Sequence, residues 1–169
     1  MRVYTGGTFD CFHLGHVNFL SQCQYFGKVT VSLNTDEFIE EFKGRPPIMT
    51  YHERAVVLRS CKYVDQVVPN EGGADSSIAI KKVQPDIIAI GTDWHGKDYL
   101  GQLGIDTKFL RDNSIYLVYI PYTEDISTTD IRKRLNEAGN RDQSPKTSGE
   151  SMARRAITYH KDFFPHNID

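Results

Sequence analysis

Five short apolar runs rich in β-branched residues recur along the chain, at positions 3–5, 29–33, 64–68, 87–90 and 116–120. Helix-like stretches separate them at 15–25, 50–60, 76–83 and 127–136. Near-continuous apolar runs suit strands buried on both faces, and strands alternating with helices require a parallel sheet joined by right-handed crossovers. The expected fold is therefore α/β: a doubly wound, five-stranded parallel sheet with helices on both faces. Ligands of such sheets bind at the carboxyl ends of the strands, where the strand order reverses. The firmest helix boundary is at Thr50, where Thr50-Tyr51-His52-Glu53 has capping-box spacing and Val56, Val57 and Leu58 follow on the buried side.

At 169 residues the chain has the size of one domain that can bury a core without disulfides or a structural metal. That domain is expected over residues 1–138. Positions 139–151 turn polar and aperiodic and read as a linker. Residues 152–169 regain Ile157, Tyr159, Phe163 and Phe164 and read as a tail with a short docking helix. Lys and Arg total 20 against 22 Asp and Glu, a balance of -2 that offers no long-range field for nucleic acid or anionic lipid. An anionic ligand must be held by a local cluster instead. No basic stripe with interleaved aromatics points to nucleic acid. The start lacks a charged leader with an apolar core, and no run of about 18 apolar residues occurs, so no membrane insertion and a cytoplasmic location are expected. Cys11, Cys23 and Cys61 are odd in number and widely spaced, which predicts reduced thiols.

The stretch from Gly6 to His16 directly follows the first strand and carries the chemistry. Gly6, Gly7 and Gly15 leave backbone N–H groups open to phosphate oxygens, and a helix N-terminus starting here adds positive potential. His13 and His16 sit at i and i+3 in that turn. With Cys11 they resemble part of a zinc site, but no further ligand motif appears downstream. Neither a Walker lysine motif nor a dinucleotide Gly-x-Gly-x-x-Gly is present. A second cluster, Ile126-Ser127-Thr128-Thr129-Asp130-Ile131-Arg132, places a Ser N-cap at the last helix, with its Asp three residues on. Alone it is a helix cap; following a strand, it is expected to face the same sheet edge as the first helix. The loop Phe42-Lys43-Gly44-Arg45-Pro46-Pro47 carries two cations and reads as a phosphate clamp. Arg54, Arg59 and Lys62 are further cations in the helix that follows and just after it.

From Arg2 to about Asn136 the sequence resembles the glycerol-3-phosphate cytidylyltransferase family, within the HxGH nucleotidyltransferase superfamily. The resemblance rests on Gly7-Thr8-Phe9-Asp10, His13-Leu14-Gly15-His16, positions 32–38, Gly91-Thr92-Asp93-Trp94 and Thr123-Glu124-Asp125-Ile126-Ser127-Thr128-Thr129. It implies a Rossmann-like fold and transfer of CMP from CTP to a small phosphomonoester, sn-glycerol 3-phosphate first among them, giving CDP-glycerol and pyrophosphate. His13, His16, Lys43 and Ser127 would carry the chemistry. Gly7, Thr8, Phe9, Gly15, Arg45, Asp93, Thr123, Ile126, Ser127 and Thr128 would join the histidines around the nucleotide. Asp10, Lys43, Arg54, Lys62 and Trp94 would stand on the acceptor side. Mg²⁺ would arrive with CTP, with no metal ligand expected from the protein, and the family implies a homodimer. Three departures stand out: Tyr122 and Lys62 each replace a family Arg, and the loop 70–77 lacks the family's lysine.

A phosphomonoester has its second pKa near 6, so at pH 7 it is mostly the dianion and needs no general base. The reaction needs two repelling anions aligned and charge stabilised on the α-phosphate and the leaving pyrophosphate. Electrostatic catalysis without a covalent intermediate is therefore expected. Other acceptors (phosphoethanolamine, a sugar or polyol phosphate), ATP as donor, and a non-catalytic nucleotide-binding module remain open at this point.

Overall fold

The computed structural model describes residues 1–142, so the tail at 152–169 and all but the first few residues of the expected linker lie outside the described residues. Five parallel strands form one sheet: β1 (Arg2–Gly7), β2 (Lys28–Asn34), β3 (Gln66–Asn70), β4 (Ile87–Gly91) and β5 (Tyr116–Ile120), in the order β3-β2-β1-β4-β5. Helices α1 (Leu14–Gln24), α2 (Asp36–Lys43), α3 (Tyr51–Arg59), α4 (Ser77–Val83), α5 (Tyr99–Gln102), α6 (Thr107–Asp112) and α7 (Thr128–Asp142) connect and follow them.

Strand residues alternate between two cores, as the two-residue period of a pleated strand requires. Val3, Val29, Val31, Leu33, Ile87 and Ala89 pack on one face with Leu20 and Cys23 of α1 and Ala55 and Leu58 of α3. Tyr4, Ile88 and Ile90 point to the other, against Ala79 and Ile80 of α4, Tyr99 of α5, Leu103 after it, and Leu110 of α6. The doubly wound α/β architecture is thus the one the alternating runs imply. The edge strands are only partly covered: Tyr116 of β5 is exposed, and β3 tolerates Pro69 because an edge strand leaves one N–H row unpaired.

The chain runs outward from β1 to β3 and then returns to place β4 on the other side of β1, so the order reverses between β1 and β4. There β1 pairs with β2 through Gly7 but with β4 only at Val3 and Tyr4. Past Tyr4 the two strands part and open a crevice at their carboxyl ends. The glycine-rich segment leaves β1 into that crevice.

Local structure departs from the sequence reading in three places. The segment after β2, which lies outside the four helix-like stretches of the sequence, holds α2, capped by Thr35 accepting from Phe38 N–H at 3.2 Å and closed by Gly44 in the left-handed region at φ 66°. Residues 98–113 fold as α5 and α6, whose N-caps are Asp98 and Asp106. Finally, α7 continues to Asp142, into the stretch read as linker from 139. One internal glycine costs a helix only about 1 kcal/mol, so Gly139 does not end it.

Candidate active site

A cavity of about 470 Å³ lies over the carboxyl ends of β1, β2, β3 and β4. Its floor is Gly6-Gly7-Thr8-Phe9 from the turn after β1, and His13, Gly15 and His16 from the start of α1 form one side. His13 is the N-cap of α1, and its backbone N–H donates to His16 Nδ1 at 3.4 Å. That leaves the imidazole proton of His16 on Nε2. The two rings stack with centroids 3.8 Å apart, and Phe9 and Phe12 flank His16 at 5.0 and 5.6 Å. Burial, helped by neighbouring His13, pushes the His16 pKa down to about 3, so the ring is neutral across the physiological range. Burial also lowers His13. There is little room at Gly15: a Cβ would come within 3.1 Å of the His13 ring and 3.3 Å of Ile126 Cγ2, so a larger residue would displace that ring by a few tenths of an ångström.

The N-terminus of α7 closes the opposite side through Ser127, Thr128 and Thr129. Ser127 Oγ donates to the Asp130 carboxylate and accepts from Asp130 N–H at 3.1 Å, a reciprocal cap. Thr128 Oγ1 donates to the Asp10 carbonyl at 2.9 Å, tying α7 to the turn after β1. Two helix N-termini thus converge on one cavity, which concentrates positive potential where a polyphosphate can sit. The third side carries cations. Lys43, the last residue of α2, donates to Thr8 Oγ1 at 3.2 Å, and Arg45 lines the cavity just beyond Gly44. Burial and the nearby Arg45, Arg132 and Arg54 lower the Lys43 pKa, against the pull of Asp10. Asp93 and Trp94 sit at the end of β4, where Trp94 packs on Tyr99 at 5.4 Å.

A cytidylyltransferase-like family model matches residues 4–134, which spans every strand and this whole cavity. The chain belongs to the cytidylyltransferase-like family. It is a nucleotidyltransferase, and its curated relatives fall into more than one activity. The FAD synthase of Pyrococcus abyssi is 38% identical over 81% of this chain and 93% of the relative. The glycerol-3-phosphate cytidylyltransferase of Staphylococcus aureus is 34% identical over 79% of this chain and 94% of the relative. Among solved structures, the lipopolysaccharide core biosynthesis protein of Thermoplasma volcanium is 25% identical, with a TM-score of 0.58 over 73% of this chain and 96% of that chain.

Within this cytidylyltransferase-like site several expected residues have other work. Arg54, expected at the acceptor, is fully buried. Its guanidinium donates to the carbonyls of Met49 (3.0 Å), Thr8 (2.7 Å) and Asn34 (2.9 Å) and to Asp36 Oδ1 (2.6 Å). It is a strut that fixes the carboxyl ends of β1 and β2 relative to α3. Asp10, also expected at the acceptor, borders the cavity, but its carboxylate is consumed by Met49, Ile48 and Cys11 N–H groups and by Arg132 Nη2 at 3.2 Å. Burial opposes its charge, yet these donors prevail and hold it below the usual carboxylate range. Lys62 precedes β3, whose last residue, Asn70, lines the cavity, so the whole strand, at about 3.3 Å per residue, separates Lys62 from the site. Its Nζ lies 4.9 Å from the Tyr63 ring instead. Thr123 and Ile126 stand behind the wall: Thr123 Oγ1 accepts from Asn18 Nδ2 at 3.2 Å, and Ile126 packs on Gly15.

Several lining residues have no role in the sequence reading, although Asn34, Phe38, Phe42 and Arg132 lie inside segments it singles out. Phe38, Ile39 and Phe42 of α2, Asn34, Asn70, Tyr99, Gln102, Leu103 and Arg132 all reach the cavity. For α2 a signal existed in Thr35 before two acidic residues, with Gly44 at the far end. Tyr122, where the family carries Arg, also lines the cavity, its N–H held by Thr92 Oγ1 at 3.0 Å. Cys11, Cys23 and Cys61 are free thiols. Among the described residues no helix is long and apolar enough to cross a membrane, and no group of three or more His, Cys, Asp or Glu could hold a metal ion.

Proposed function

We propose that the enzyme transfers CMP from CTP to sn-glycerol 3-phosphate, releasing CDP-glycerol and pyrophosphate. The observation that carries this reading is His16, its Nδ1 taken by the His13 N–H and its Nε2 left to donate, sharing one cavity with two helix N-termini, Lys43 and Arg45. A fixed neutral N–H donor costs little reorganisation when charge develops on a phosphate oxygen, which is how preorganised donors lower a barrier. His13, stacked on His16, Arg45 and the Thr8 hydroxyl would hold the triphosphate in line, while Lys43 would meet the incoming phosphomonoester. The acceptor dianion attacks the α-phosphorus, the bond to the bridging oxygen breaks, and pyrophosphate leaves without a covalent enzyme intermediate. Mg²⁺ belongs to this reading as a companion of the nucleotide, neutralising triphosphate charge. The functional unit is a homodimer in the same reading.

A second reading has its own support. The FAD synthase similarity is the stronger in identity, and Phe38 and Phe42, stacked 5.8 Å apart, present aromatic surface beside the cavity. In that reading AMP from ATP is joined to flavin mononucleotide, itself a phosphomonoester. A grid of CTP and ATP against glycerol 3-phosphate and flavin mononucleotide, read by pyrophosphate release, separates the two. The primary reading expects turnover in the CTP and glycerol 3-phosphate well; release only with ATP and flavin mononucleotide replaces it with the second.

A further inference from the structure

The cavity wall farthest from the histidines carries polar groups that phosphate chemistry does not use. Asn70, the last residue of β3, is 4% exposed and lines the cavity. Its Nδ2 is spent on Asn34 Oδ1 at 2.9 Å and the Gly73 carbonyl at 2.8 Å, which fixes the amide orientation. Its Oδ1 is buried with no partner. An unpaired buried acceptor of this kind is destabilising, and the penalty is removed when a ligand donates to it. Ser76, also buried, and Gln102 border the cavity on the same side.

The donor that fits is a hydroxyl rather than an ammonium. A buried ammonium needs a carboxylate partner. No free carboxylate lines the cavity beside Asn70: of the acidic residues lining it, Asp10 is saturated and Asp93 follows β4, three strands from β3 in the sheet. Register supplies the distance. Gly7 pairs with Leu33 and Leu33 with Pro69, so Asn70 stands two strands from the phosphate-facing turn and one residue further along. At about 4.8 Å per strand that is about 10 Å, the reach of a phosphate carried on a short hydroxylated chain.

We infer that Asn70, with Ser76 and Gln102 beside it, reads hydroxyls on the acceptor and selects phosphomonoesters of polyols. The inference rests on the acceptor being a phosphomonoester. It applies equally to the glycerol chain of glycerol 3-phosphate and to the ribityl chain of flavin mononucleotide.

The test compares kcat/KM for glycerol 3-phosphate and n-propyl phosphate with CTP, in the wild type, Asn70→Leu and Gln102→Leu. Flavin mononucleotide with ATP forms a second arm. The wild type should prefer glycerol 3-phosphate by about tenfold or more, the effect of a hydrogen bond lost at a buried group. Asn70→Leu should remove that preference by raising KM for glycerol 3-phosphate, with KM for CTP and turnover of n-propyl phosphate unchanged. Gln102→Leu, on the partly exposed rim, should weaken the preference in the same direction. If the flavin arm alone is active, the same loss in Asn70→Leu identifies the ribityl chain as the group read. Equal use of both simple esters by the wild type, or a preference untouched by either substitution, overturns the hydroxyl subsite alone. Pyrophosphate release with none of these acceptors overturns the phosphomonoester reading and the subsite with it.

Discussion

Replacing Arg54 by Met keeps the apolar stem and removes the guanidinium, which separates a strut from a substrate contact. Arg54 is fully buried, and four hydrogen bonds, one of them an ion pair to Asp36, depend on its head group. Removing one partner of a buried charge pair costs about 3–5 kcal/mol, because what remains is left unpaired. Here the remainder is three backbone carbonyls and a carboxylate. Asp36 is 34% exposed and also accepts from Tyr51 N–H at 2.9 Å, so water and that amide cushion its loss. The carbonyls of Thr8, Asn34 and Met49 keep the cost inside that range. A domain of this size has about 5–15 kcal/mol in total, and each kcal/mol moves the midpoint by about 2–4 °C. Arg54→Met should therefore lower Tm by about 10 °C and shift the urea midpoint with little change in m-value. Arg54→Lys, which can reach one carbonyl at most, should recover only part of this. A Met variant within about 1 kcal/mol of wild type, but with a KM for the phosphate acceptor raised tenfold, would refute the strut and return Arg54 to the acceptor site.

Three further outcomes follow from the same geometry. His16→Ala should lower kcat by about a hundredfold or more with the fold retained by circular dichroism, since a lost transition-state donor costs about 2.7–4 kcal/mol. The His16 pKa of about 3 lies below the ordinary 6.5, so between those values the unfolded chain binds a proton that the folded chain does not. Stability should thus be level above pH 6.5 and fall as pH drops, by up to about 1.4 kcal/mol per unit from this group; urea unfolding of His16→Gln should show a shallower fall, and an identical one would contradict the burial of a neutral ring. Arg45→Ala should raise KM for CTP and flatten its salt dependence, and a KM unchanged from 50 to 300 mM salt in both proteins would remove Arg45 from the clamp.

What the sequence could and could not reveal follows from the range of the interactions involved. The capping box at Thr50 and Glu53 forms as its spacing dictates, with Thr50 N–H donating to Glu53 Oε2 at 2.8 Å and Glu53 N–H to Thr50 Oγ1 at 3.4 Å. Such signals are local and survive without knowledge of the rest of the chain. The strand from Tyr116 to Ile120 was equally plain from its composition. Helices α5 and α6, of 4 and 6 residues, are too short to display a helical period. Arg54 and Asp10 misled for a different reason. Their partners come from Thr8, Asn34, Met49 and Arg132, positions brought together only by the sheet. A cation or carboxylate read one at a time looks available for substrate until its neighbours are known. The same reasoning explains Asn70, which is unremarkable in sequence and becomes informative through its unpaired, buried Oδ1.

The central claim is direct nucleotidyl transfer at this cavity. Phosphorus NMR of CTP, Mg²⁺ and glycerol 3-phosphate mixed with the enzyme tests it most directly. Equimolar growth of pyrophosphate and a diphosphate diester, both abolished when glycerol 3-phosphate is omitted and both slowed about a hundredfold in His16→Ala, is the expected result. Pyrophosphate appearing with free CMP, or a diester formed at the wild-type rate by His16→Ala, would contradict it.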